Sequence, residues 1–177
     1  MRVVTIAIAI LWLVPRLATA GPPDRFFLPD PQVTPGVINP EVTQDTIGAT
    51  ICRRHWTATI RPPKTYTQAI KWRLAGPFRD LRDYELDHLI PLALGGAPAD
   101  PRNMWLQPWA GPWNAGIKDR LEIRLQHLVC QHRIPLAIAQ EQIVRNWIDA
   151  YRFYCADPAD CPSWESMHGR DNAGGPP

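Results

Sequence analysis

Apolar residues recur along this chain in two rhythms. Over the C-terminal half the rhythm is helical. Ile117, Leu121, Leu125, Leu128 and Val129 fall three or four apart and form one stripe, which predicts a helix over about 114–130. Lys118 and Glu122 lie four apart and are assigned to another face as a weak ion pair. Leu136, Ala139, Ile143, Trp147, Ala150, Tyr151 and Tyr154 predict a second helix over 135–154, with Pro135 suited to its first turn. A shorter helix is predicted over 66–74, with Thr65 as N-cap, Ile70 and Leu74 on one face, and Gly76-Pro77 as the stop. Asn39-Pro40 and Thr43 are helix-start signals, so 43–52 is predicted as a further short helix.

The other rhythm is that of strands. Residues 83–90 and 103–106 read as the two strands of a hairpin, joined by a long loop in which Gly95-Gly96 and Pro98 mark turns. Residues 56–60 read as a brief strand stopped by Pro62-Pro63. Residues 21–38 are rich in proline, lack periodicity and read as an extended, partly disordered leader. The expected class is α+β: a hairpin plus helix surrounded by additional helices. The domain covers 39–154, its core motif covers 84–130, and 155–177 is a tail.

Composition changes this picture at the termini. Arg2, the apolar run 3–14 and the small residues Ala18-Thr19-Ala20 make 1–20 read as a signal peptide. The run is too short to span a bilayer comfortably, and no other segment is apolar enough, so no membrane span is expected in the mature protein. Cys52, Cys130, Cys155 and Cys161 are an even set, which agrees with a secreted or periplasmic location. Three pairings are open; the expected one is Cys52 with Cys130 and Cys155 with Cys161. No Cys-x-x-Cys pair occurs, which removes zinc-ribbon and thioredoxin-like readings.

The net charge of +2 includes Arg2 and Arg16, so the mature chain is close to neutral. The charge is uneven. Arg53, Arg54, Arg61, Lys64, Lys71, Arg73, Arg79 and Arg82 crowd the stretch before the core motif, a pattern suited to an anionic partner.

The chemistry concentrates in 84–130. His88 is able to take a proton from water near neutral pH. Asp87 offers hard oxygens for a divalent ion. Neighbours on a strand point to opposite faces, so the base and the carboxylate diverge. Asn103 is able to bond across the loop and hold the base. The first turn of the helix after Asn114 adds a polar group and a positive dipole end. Trp105, Trp109 and Trp113 are read as core or rim rather than as a stacking platform.

The order Glu85-x-Asp87-His88-x-x-Pro91-Leu92-x-x-Gly95-Gly96, then Asn103-x-Trp105, then Asn114-x-x-x-Lys118-Asp119-x-x-Glu122 resembles the HNH nuclease family. Val129-Cys130, Ala139-Gln140 and Trp147 extend the likeness toward a secreted HNH-like subgroup. The resemblance implies a ββα-metal finger and a nuclease that cleaves DNA or RNA with low sequence preference. It implies His88 as general base, Asn103 as the residue that orients it, and Asp87 and Asn114 as ligands of one divalent metal. Mg²⁺ is the first choice of ion, with Mn²⁺ or Zn²⁺ as alternatives. Glu85, Lys118 and Glu122 are supporting residues. If the third HNH ligand falls after Asn114, Ala115 and Gly116 have no side chain able to coordinate. The alternative is therefore a non-catalytic secreted binding or structural protein on a degenerate HNH scaffold.

Overall fold

A computed structural model of the chain describes residues 24–162. The expected signal peptide and the C-terminal end of the tail lie outside the described residues. The elements run α1 (Trp56–Ile60), α2 (Lys64–Ala75), β1 (Tyr84–His88), β2 (Met104–Pro108), α3 (Ala115–Cys130) and α4 (Leu136–Tyr154), with short 3-10 turns between them. The class is mixed α+β. β1 and β2 form a two-stranded antiparallel hairpin in which Asp87 stands opposite Trp105, and His88 opposite Met104.

α3 and α4 form as their periodicity demands. The α3 stripe of Leu121, Leu125, Leu128 and Val129 packs against Ile143, Trp147 and Ile148 of α4, with Leu89, Leu94 and Trp105 of the hairpin region in the same core. Two disulfides, Cys52–Cys130 and Cys155–Cys161, have the expected pairing. The first closes a loop with a sequence separation of 78 and ties the N-terminal segment to the end of α3. In the chain-entropy view such a closure contributes about 4 kcal/mol.

Four segments differ from the sequence expectation. Residues 56–60 are helical, not a strand. A five-residue run with Trp56 and Ile60 partly buried and Ala58 exposed satisfies a helical spacing, and no neighbouring strand offers a ladder. Residues 43–52 form successive turns instead of a helix. Thr46 Oγ1 accepts from Thr43 N and donates to the Glu41 carbonyl, so side-chain bonds compete with the helical ladder. The segment nevertheless buries Ile47 and Ile51.

Residues 24–38 are not a loose leader. Phe27 is in the core and its carbonyl accepts from Trp147 Nε1 at 3.0 Å, while Gly36 N donates to the Arg102 carbonyl. Proline here removes helix and strand options without removing tertiary contacts. Finally, α4 is interrupted at Asn146, whose backbone is extended. Asn146 Oδ1 accepts from Ile148 N and Asp149 N, capping the second half of α4 from inside it. A smaller shift concerns α2, which starts two residues earlier than expected, at Lys64, with Pro63 before it and no side-chain cap.

Candidate functional site

The loop between β1 and β2 is where the site begins. Its first part, 89–97, is buried almost throughout, so its backbone groups need internal partners. Asn103, with 0% exposure, supplies them. Its Oδ1 accepts from Ile90 N at 3.0 Å and from Val37 N at 3.4 Å. Its Nδ2 donates to the carbonyls of Ile90 and Ala97, at 3.0 and 3.2 Å. The amide thus staples both ends of the loop. Gly96 lets it do so, because a Cβ there would sit 1.8 Å from the Ile90 carbonyl oxygen and 2.8 Å from Asn103 Nδ2. Gly95, at φ 73°, closes the preceding turn in the left-handed region.

The stapled loop presents the Pro98 carbonyl to His88. His88 Nε2 lies 3.0 Å from that oxygen. A carbonyl only accepts, so Nε2 carries the hydrogen and Nδ1 is left as the basic nitrogen. Burial depresses the imidazole pKa, and Lys118 and Arg61 add to this; the Pro98 carbonyl and Asp87 oppose it. The net direction is downward, so His88 is neutral at neutral pH. Asn103 therefore acts on His88 through the loop, without touching its ring.

Asp87 diverges from His88 as the strand pleat requires and faces α3. Its Oδ2 accepts from Trp105 Nε1 at 3.2 Å and lies 2.7 Å from Lys118 Nζ. Lys118 is fully buried. Its ammonium also donates to the His88 carbonyl at 2.9 Å and pairs with Glu122. Burial alone would lower its pKa, but the charges of Asp87 and Glu122 win and hold it above the ordinary lysine value. The pair assigned from sequence to another face than the apolar stripe, as a weak ion pair, is thus an interior pair. The signal was present: Lys118 stands three residues before Leu121 and seven before Leu125, inside the apolar stripe.

Glu85, Asp119 and Glu122 complete an acidic wall around Asp87. Together with Arg61 and His88 they line a cavity of about 150 Å³. Burial first, then the charges of Asp87 and Asp119, push the Glu85 carboxyl up to about 7 against the pull of Lys118 and Lys71. Burial likewise raises Asp119 and Glu122, with Asp87 acting in the same direction on both. Asp119 and Arg61 were not singled out as site residues by sequence, because Arg61 sits outside the motif and Asp119 reads as a solvated helix position.

Asn114 is placed at the start of α3 as its N-cap. Its Oδ1 accepts from Ile117 N at 3.2 Å and its Nδ2 donates to the Gly111 carbonyl at 3.0 Å. Gly116 offers no side chain, although a Cβ there meets nothing closer than 3.5 Å. Among the described residues no group of three or more His, Cys, Asp or Glu side chains is arranged to hold a metal ion. The expected ligands do not fit a divalent ion as they stand: Asp87 is committed to a lysine ammonium and Asn114 to backbone capping. The resident cation of the acidic wall is Lys118. No helix among the described residues is long and apolar enough to cross a membrane. Comparison with protein-family models, with curated proteins and with solved structures finds no match for this chain.

Proposed function

We propose that this chain is an HNH-type nuclease, with β1, β2 and α3 as its ββα finger, which hydrolyses phosphodiester bonds of DNA or RNA with low sequence preference. One observation carries the reading. His88 is buried, its Nε2 is held by the Pro98 carbonyl, and its Nδ1 is the remaining basic nitrogen beside a cavity. A fixed tautomer that is neutral at neutral pH can take up a proton as a general base. In the proposed reaction Nδ1 takes a proton from water as the water oxygen bonds to phosphorus. The bond from phosphorus to the departing sugar oxygen breaks, and that oxygen takes a proton from solvent. Arg61, which borders the cavity, offsets the charge that develops on the phosphate. Asn103 and Gly96 keep the Pro98 carbonyl in place. The low sequence preference follows from the lack of a recognisable base-reading module in the sequence.

The HNH resemblance brings a divalent metal with it, but the side chains expected to hold one, Asp87 and Asn114, are engaged elsewhere. Export to an oxidising compartment is part of the proposal. The apolar run near the N-terminus and the two disulfides support it.

The test is cleavage of plasmid DNA and of single-stranded RNA by the oxidised protein with Mg²⁺, with Mn²⁺ and with a chelator. Wild type is expected to cleave, and His88→Ala to lose about a hundredfold or more of the rate. The three ionic conditions report whether an ion from solution is recruited to the acidic wall. A folded wild type that cleaves neither polymer in any condition would overturn the nuclease reading. The second reading would then hold: a non-catalytic binding protein on the same scaffold. Gly116 and the capping role of Asn114 are the observations that favour it.

A further inference from the structure

His88 borders two cavities of opposite character. The first holds the acidic wall of Glu85, Asp87, Asp119 and Glu122. The second, of about 210 Å³, is lined by Arg61, Lys64, Gln68 and Lys71 together with Leu86 and His88. Arg61, Leu86 and His88 are common to both, so the two are halves of one groove with the imidazole at their junction. Lys64, Gln68 and Lys71 recur at helical spacing on α2 and share one face of it.

None of Arg61, Lys64 and Lys71 has an ion-pair partner among the described residues, whereas Arg82 and Arg102 are each paired with an aspartate two residues before. Cations that are in no direct ion pair and border the groove beside a histidine are poised for an anionic ligand. α2 is also held in register with the site. Tyr66 Oη donates to the Ala99 carbonyl, next to the Pro98 that fixes His88.

We propose that Arg61, at the C-terminal end of α1, together with the Lys64–Lys71 face of α2 is the binding track for the phosphodiester backbone of the substrate strand. The proposal rests on the nuclease reading of His88 and adds the residues that grip the polymer. From Lys64 to Lys71 the helix advances roughly 10 Å. That matches about three phosphates at the axial spacing of about 3.4 Å per strand. The acidic wall repels a backbone on the other side of His88, so the strand lies along α2 and meets the imidazole at one end of the basic face. Nothing in the track reads base edges, in keeping with low sequence preference.

The experiment measures anisotropy of labelled single-stranded and duplex oligonucleotides across a salt series, in the cleavage-deficient His88→Ala background. Arg61→Gln/Lys64→Gln/Lys71→Gln is compared with Arg53→Gln/Arg54→Gln/Arg133→Gln, which removes equal charge from exposed positions away from the groove. The track variant is expected to bind about tenfold more weakly and to lose about two units of the salt slope, roughly 0.7 per single-strand phosphate contact. The control variant is expected to stay near the parent. Whichever oligonucleotide shows the larger loss identifies the strand form that the track takes. Equal losses in the two variants would overturn the track while leaving cleavage by wild type, measured separately, to stand. Selective loss of binding in a protein whose wild type does not cleave would keep the track and remove the nuclease reading. A circular-dichroism melt of each variant confirms that the folded proteins are being compared.

Discussion

Asn103 and Glu85 illustrate how much a single side chain carries here. Asn103 makes four backbone hydrogen bonds from a fully buried position, and each backbone group it releases would be left in the interior. Asn103→Ala is expected to destabilise the protein by about 3 kcal/mol, measured by urea denaturation, and to lower turnover in the folded variant. Turnover equal to wild type would separate the loop from His88 function. Glu85 gives a pH prediction. Its carboxyl is pushed up to about 7 in the fold, above its ordinary value of 4.5. The folded state therefore binds the proton more tightly than the unfolded state, and this group's contribution to stability falls as pH rises from about 4.5 through 7. Glu85→Gln is expected to be more stable than wild type above pH 7, with the advantage shrinking toward pH 4.5. Melting temperatures across that window check it; a constant difference would contradict it. Asp119 and Glu122, raised in the same direction, persist in both proteins, and because Asp119 and Glu85 repel each other the difference reports Glu85 together with its acidic neighbours.

The elements divide into those that carry themselves and those that the tertiary structure shapes. α3 carries itself: an apolar stripe, an Asn114 cap and a disulfide at its end. α4 has an equally plain stripe, yet it breaks at Asn146. A stripe reports which face is buried and is blind to an extended residue within it, since Ile143, Trp147 and Ile148 are buried on both sides of the break. The internal cap is testable. Asn146→Ala is expected to cost about 1 kcal/mol in thermal unfolding, with most of it recovered in Asn146→Ser, because a serine oxygen also caps. An unchanged melt for Asn146→Ala would mean the kink is held by packing alone. The turns over 43–52 and α1 show the converse case, where short segments lack enough residues for periodicity to choose between structures.

Across the whole molecule the Cys52–Cys130 bridge joins segments with a sequence separation of 78. Cys52→Ser/Cys130→Ser is expected to lose about 4 kcal/mol in chemical denaturation, and the denatured, unreduced wild type to show no free thiol among the described cysteines. A wild-type stability in the double variant would mean that the N-terminal segment is anchored by packing. That segment brings Phe27 and Val42 to the core, and Gly36 and Val37 to the loop that holds the site, so its attachment bears on the site as well as on the fold.

By itself the sequence determined the class, the hairpin, α3, the α4 stripe and an even set of cysteines, because these rest on periodicity and on parity, which are local or countable; which cysteines pair was decided by the tertiary structure. It also marked Asp87, His88 and Asn103 as a set, through their order and chemical type. Only the tertiary structure decided what those residues do to one another. It turned Asp87 toward Lys118, spent Asn114 on a helix cap, and made Asn103 act on His88 through Pro98. It also sorted the basic stretch, leaving Arg61, Lys64 and Lys71 on the groove and pairing Arg82 with Asp80. The physical reason is that ion pairs, loop staples and grooves join residues far apart in the chain, and their energies depend on burial and distance, which residue order does not encode locally.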